Sequence, residues 1–482
     1  MALKVYNYLS RQIEEFIPLH EGWVGMYVCG PTVYEHAHIG HAKTYVSMDA
    51  ILRYLRYLGY RVRYVQNITD VGHLLDTGED RILKGAARER LEPMELVEIY
   101  TRSYFEDMDA LRVTRPDISP RASGHIPEQI ELVKQLLARG HAYEADGSVY
   151  FSVESFPDYG KLSRRRVEEQ LEGVRVEVEP GKRHPADFAL WKRAEPEHIM
   201  RWPSPWGWGF PGWHAECTAM STKYLGQPFD IHGGGVDNLF PHNECEIAQA
   251  EAATGQPFAR YWLLAGTLTV GGVKMSKSLG NFVTIKEALR RFRPEAIRLF
   301  ILNGHYRGRL DFTEEALEAA SGGVERLHGA VAALRDRLRT ADDGGEVDAA
   351  WADRLADMRA RFGQAMDEDF NTAGALAVLF EFTREVNALL ASGEPVNRAT
   401  LAAIDGVYRD LGETVLGLIP DPLPQQAGAG LEDALVRLLI ELRQEARQRK
   451  DWARADAIRS RMAEIGIILE DGPEGTRWRL GR

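Results

Sequence analysis

Gly25-Met-Tyr-Val-Cys29 is a short apolar run that stops abruptly at Gly30-Pro31, as a buried strand does when it meets a turn. From about Ala42 to Leu58, apolar side chains recur at Tyr45, Met48, Leu52 and Leu55, which is helical spacing, and Gly59 stands where a helix ends. Tyr60, Val62 and Tyr64 then alternate with Arg61 and Arg63, the two-residue period of a strand. Strand, loop, helix and strand in this order predict a right-handed crossover within a parallel sheet, an α/β core of Rossmann-like type.

The rest of the chain is read outward from that unit. Its 482 residues exceed one compact domain, so about two to four are expected. The core is expected to run over 1–116 and resume over 206–311. The stretch 117–205, mixed in pattern and rich in charge, reads as an inserted domain. Trp202-Pro-Ser-Pro-Trp-Gly-Trp-Gly-Phe-Pro-Gly-Trp213 reads by itself as a rigid loop packed by its own tryptophans. Beyond Phe312 the texture becomes long amphipathic helices, assigned as a bundle over 312–418. A Pro- and Gly-rich linker follows over 419–430. Over 431–482 two helices, Leu431–Lys450 and Asp451–Ile465, precede short strands, a small α+β domain.

Composition narrows the function. Hydrophobic residues make up 44% and charged residues 27%, which excludes wholesale disorder. Three cysteines are no disulfide framework for this length and fit a reducing, cytoplasmic setting. No leader-like segment or membrane-spanning run is read. A net charge of −12 disfavours non-specific nucleic-acid binding, yet a local basic groove is compatible with it. Arg443, Arg447, Arg449, Lys450 and Arg454 form such a cluster, with a solvated helix face as the equal alternative.

Two strings carry chemistry. His38-Ile-Gly-His41 lies where the first helix begins. Free amides and the positive dipole end suit phosphate there, and Gly40 admits close approach of a nucleotide. Lys274-Met-Ser-Lys-Ser278, between Gly271-Gly272 and Gly280, reads as a mobile loop whose lysines suit polyphosphate in a transition state. Thr284 and Glu287 behind it form a capping-box pattern. Alone, each string reads better as a helix cap or a solvated turn; in this order, around an insertion, they point the same way. His242 and Glu246 are i,i+4 on a segment read as helical, so both can face one point.

These strings resemble the two signatures of the class I aminoacyl-tRNA synthetase family, and within it the cysteinyl-tRNA synthetases. Tyr27–Tyr34, Asn67–Asp70, Pro211–Cys217, Phe229–Asp237, Lys274–Asn281 and Asp451–Asp456 carry the resemblance, which runs essentially end to end. It implies ATP, L-cysteine and tRNA(Cys) as partners, a monomer, and Mg²⁺ with the ATP. His38, His41, Lys274 and Lys277 would be catalytic, with His38, Gly40, His41 and Lys277 at the ATP. Thr69, Trp213 and Asp237 would line the cysteine pocket, and the Gly233–Gly235 run would let the adenylate lie against backbone. The resemblance assigns one Zn²⁺ to Cys29, Cys217, His242 and Glu246; Cys245, three residues from His242, could also reach a metal. A relative that passes cysteine to an amino sugar is the rival reading, and it would not need Gly430–Arg482.

Overall fold

The computed structural model describes all residues except 1, 73–79, 166–180, 276–280, 343, 424–428, 473–474 and 481–482. It divides into two compact units, Met1–Ile419 and Pro420–Arg482.

At the centre of the first unit is a four-stranded parallel sheet, in the order Ala259–Ala265, Phe229–Gly235, Trp23–Val28, Arg61–Gln66. Trp23–Val28 is an interior strand, buried from Val24 onward, and therefore reads as continuous apolar sequence. It ends at Gly30, where a Cβ would fall 1.6 Å from the Asn67 carbonyl oxygen, so only glycine lets the neighbouring strand end approach.

The helix after this strand spans Ile39–Tyr57 and starts three residues before the apolar periodicity does. His38 is its extended N-cap, and the His38 amide donates to His41 Nδ1 at 3.2 Å. A polar cap makes the first turn invisible to apolar spacing. Gly59 closes the helix at φ +92°. The Ile39 amide donates to Val283 O and the Ile285 amide to Ala37 O. The start of this helix is thereby pinned to the segment around Val283–Ile285, where Thr284 and Glu287 form the capping box of helix Ile285–Arg291.

A five-stranded antiparallel sheet interrupts the core. Its strands run from Ala142–Ala145 to Gly207–Pro211, with helix Ile126–Ala138 in the same hydrophobic cluster. The tryptophan-rich stretch, expected as a rigid loop, is instead a hairpin of this sheet, Trp202–Ser204 paired with Gly207–Pro211. Gly209 makes the pairing possible, because a Cβ there would meet Lys192 O at 2.2 Å and Trp191 Nε1 at 2.3 Å. Strand Gly207–Pro211 thus continues the sheet past position 205 and delivers the chain to Trp213, first residue of helix Trp213–Leu225.

Helices Glu314–Thr340, Ala349–Asp367, Thr372–Ser392 and Arg398–Val407 follow, as the amphipathic texture predicts. No described helix is long and apolar enough to cross a membrane.

The second unit has helices Ala429–Gln448 and Trp452–Glu464 and a hairpin of Ile467–Gly472 with Gly475–Leu480. Val436, Ile440, Met462 and Leu469 form its core. Asp451 caps the second helix by accepting from the Arg454 amide at 3.1 Å. Arg447, Arg449, Lys450 and Arg454 are exposed. Arg443 is not part of that exposed group: it is only 4% exposed and faces inward, because Val436, Ile440 and Arg443 share one helical stripe.

Candidate functional site

A cleft of about 860 Å³ opens at the ends of the core strands. Cys29, His38, Gly40, His41, Thr69, Trp213, Cys217, Asp237 and His242 all line it. Residues more than 200 positions apart meet there because a parallel sheet puts its strand ends, and the starts of the following helices, on one edge.

At one part of the cleft, one ligand atom each from Cys29, Cys217, His242 and Glu246 lies within 4.8 Å of the others, and all four residues are buried. His242 Nε2 is 3.3 Å from Glu246 Oε1, and Cys29 Sγ is 3.9 Å from the same oxygen. Tetrahedral zinc with bonds of about 2.0–2.3 Å sets donors about 3.3–3.8 Å apart, so the group fits such an ion. The chemistry of the donors agrees. Burial, with Cys29 and Glu246 nearby, pushes the Cys217 thiol well above its ordinary pKa; a cation between the sulfurs would reverse that cost. The fourth donor of the group is the Glu246 carboxylate and not Cys245, because helix Glu244–Thr254 turns Cys245 the other way, with its Sγ 3.4 Å from Tyr159 Oη.

Three residues that sequence reasoning did not assign support these donors. His214 Nδ1 lies 3.0 Å from His242 Nδ1, and His232 Nε2 lies 2.9 Å from Glu246 Oε2. Asn243 Nδ2 donates to Glu246 Oε2 at 2.9 Å. Such partners orient ligands and hold their tautomers. His214 and His232 stand inside two of the strings that carry the family resemblance, which was the available signal; Asn243 had none beyond adjacency to His242. Trp213 stacks against His242, and His232 stacks against Trp262 with centroids 4.1 Å apart.

Across the cleft, the rings of His38 and His41 stack 3.8 Å apart at 23°. Burial lowers the His38 pKa to about 4, with Asp237 opposing, and burial followed by His38 holds His41 well below its usual value. Both rings are therefore neutral near pH 7. Thr69 Oγ1 accepts from Asn67 Nδ2 at 3.0 Å, and Asn67 Oδ1 accepts from the Gly30 amide at 2.8 Å, which ties the pocket wall to the end of the first core strand. Of the glycine run, Gly235 lines the cleft, while Gly233 faces the core, where a Cβ would meet Met48 Sδ at 3.0 Å. Lys277 and the Lys274 side chain lie outside the described residues.

The fold, with its interrupted parallel sheet and its helix-start histidines over a nucleotide-sized cleft, is that of a class I aminoacyl-tRNA synthetase. The family described as the class I (C) tRNA synthetase catalytic domain matches residues 15–322, a DALR domain matches 361–420, and a cysteinyl-tRNA ligase anticodon binding domain matches 431–479. The chain is 52% identical to a cysteine–tRNA ligase of Thermus thermophilus over 486 residues, with all of both chains covered. It is 50% identical to that of Chlorobium chlorochromatii over 486 residues, with 99% of each covered. Among solved structures, Mycobacterium tuberculosis methionyl-tRNA synthetase with methionyl-adenylate superposes at TM-score 0.59 and 16% identity, covering 84% of this chain and 92% of that one. Leucyl-tRNA synthetase from Agrobacterium radiobacter, in a ternary complex, superposes at TM-score 0.60 and 13% identity, covering 84% and 85%. The chain belongs to the cysteine–tRNA ligase family.

Proposed function

We propose that this chain activates L-cysteine with ATP, releasing pyrophosphate, and passes the cysteinyl group from the adenylate to the 3′ end of tRNA(Cys). The observation that carries this reading is the buried group of Cys29, Cys217, His242 and Glu246, the first three of which line the cleft beside Trp213.

Serine differs from cysteine only at the γ atom, and a pocket that reads size gains about 1–3 kcal/mol from so small a change. A zinc ion held by the four donors would supply a Lewis acid that takes a thiolate and leaves a neutral hydroxyl uncoordinated. Trp213 and Thr69 then shape the pocket around the amino acid, with Asp237 at its mouth. In adenylate formation the cysteine carboxylate attacks the α-phosphate. His38 and His41, neutral and rigidly stacked, offer N–H donors to the charge that develops there, while Gly40 keeps the helix start open to the nucleotide. Lys274 and Lys277 neutralise the departing pyrophosphate, and Mg²⁺ accompanies the ATP. No side-chain nucleophile is required; positioning and electrostatics suffice. Residues 431–479, together with the exposed Arg447, Arg449, Lys450 and Arg454, would hold the tRNA anticodon end.

Cysteine-dependent ATP–pyrophosphate exchange tests this reading, run before and after metal removal and with serine as competitor. Exchange with cysteine that is lost on chelation and restored by zinc is expected. Equal activation of serine would overturn the metal-based selectivity, and absence of exchange would overturn the activity.

A further inference from the structure

Lys43 follows His41 by two residues and is 2% exposed. Among the described residues no carboxylate pairs with its ammonium. Nζ donates instead to the carbonyls of Tyr306 at 3.0 Å and Gly308 at 2.8 Å. Burial alone lowers its pKa to about 8. A buried cation without a counter-ion is costly, and such local costs are carried most often where a site needs them.

What Lys43 grips is informative. The Tyr306 carbonyl also accepts from the Gly266 amide at 2.8 Å, and Gly266 lines the cleft. A Cβ on Gly266 would lie 2.3 Å from Arg307 O and 2.4 Å from Gly308 O, so this turn packs directly under the strand end. A few residues on, Asp311 Oδ1 accepts from the Gly272 amide and from Thr269 Oγ1, both at 2.7 Å, and so holds the hairpin that leads into Lys274.

We propose that Lys43 is a positioning residue for adenylate formation: its ammonium ties the helix that presents His38 and His41 to the turn supporting Gly266 and the hairpin before Lys274. That side chain adds to the backbone bonds of Ile39 with Val283 and of Ile285 with Ala37 in setting the two halves of the cleft in register. The inference rests on the proposed activation of cysteine. The titratable groups around Lys43 are His305, Tyr306 and Arg307 on the same turn and Asp369 from the helical bundle. Asp369 is engaged elsewhere, accepting from Tyr306 Oη at 2.9 Å and Arg307 Nε at 2.6 Å, and burial lowers the His305 pKa. The Lys43 ammonium is thus the cation that closes this junction, and its loss above about pH 8 weakens the grip.

The test is pyrophosphate exchange with the full chain as wild type, Lys43→Met and Lys43→Arg, alongside thermal melts and zinc content. In Lys43→Met, Tm is expected to stay within a few degrees or rise, since removal of an unpaired buried cation relieves a desolvation cost. Zinc should remain bound, while kcat falls by about tenfold or more at unchanged KM for cysteine. Lys43→Arg should recover part of kcat and hold its rate above pH 8, because a guanidinium keeps its proton. A Lys43→Met kcat within twofold of wild type overturns the proposal. So does a kcat that falls only in step with Tm, as a merely structural role requires. If Lys43→Met fails to fold, a Lys43→Arg profile with the wild-type alkaline decline overturns it, and a decline moved upward sustains it. Absence of exchange in the wild type would count against the functional reading, a separate result.

Discussion

Trp213 lies against His242, ring centroids 4.4 Å apart and planes inclined by 29°. One residue begins a helix fed by the inserted sheet, and the other precedes a helix of the second core half. The stack therefore joins the residue proposed as the wall of the amino-acid pocket to one of the proposed metal donors. Trp213→Ala removes a wall but no donor. Its KM for cysteine is expected to rise about tenfold or more, the scale of losing a buried aromatic contact. Zinc should stay at one per chain. Loss of the metal would instead show that the indole holds His242 in place.

The three cysteines should separate cleanly. Cys217→Ala is expected to lose zinc and cysteine activation, because a three-donor site with an unpaired thiol is left. Cys245→Ala should keep both, since its sulfur faces Tyr159, and should cost stability by about 1 kcal/mol for the small buried group removed. Elemental analysis of the two purified variants, paired with exchange assays, decides the matter. Zinc retained in the first variant or lost in the second would reassign the ligands.

For the stacked histidines, His41→Ala is expected to lower kcat for exchange by about 10²–10³, as loss of one preorganised donor does elsewhere. The pH dependence follows from burial. His38 in the fold takes a proton only near pH 4, whereas the unfolded chain takes one near about 6.5. The unfolded state binds more protons between these values, so stability drops as pH falls from 6.5 toward 4. Urea unfolding at pH 7 and pH 5 should show that drop, and His38→Asn should reduce it. An identical drop in the variant would mean that other groups cause it.

The second unit carries its own core of Val436, Ile440, Met462 and Leu469. A chain ending at Ile419 is therefore expected to fold and to keep cysteine-dependent exchange near the wild-type rate. Its charging of tRNA(Cys) should be severely reduced, since residues 431–479 match an anticodon-binding domain. Full charging by the shortened chain would deny that domain a part in tRNA recognition.

The chain order of residue types was enough to announce the crossover unit, the bundle and the short terminal strands, because each follows from local periodicity and its stop signals. It also announced Thr284 and Glu287 as a cap, since caps are short-range hydrogen bonds. The tryptophan hairpin escaped it, because strand pairing through Gly209 depends on a neighbour at Lys192.

The candidate site divides the same way. The family resemblance assigned Cys29, Cys217, His242 and Glu246, but spacing alone could not, because 188 positions separate Cys29 from Cys217 in the chain. Which way Cys245 and Arg443 point is a matter of helix phase against a packed neighbour, and the neighbours are chosen only when the sheet closes. The same holds for Lys43, an unremarkable lysine in the sequence. Its meaning comes from two carbonyls more than 260 positions away, which only the folded core brings within reach of its ammonium.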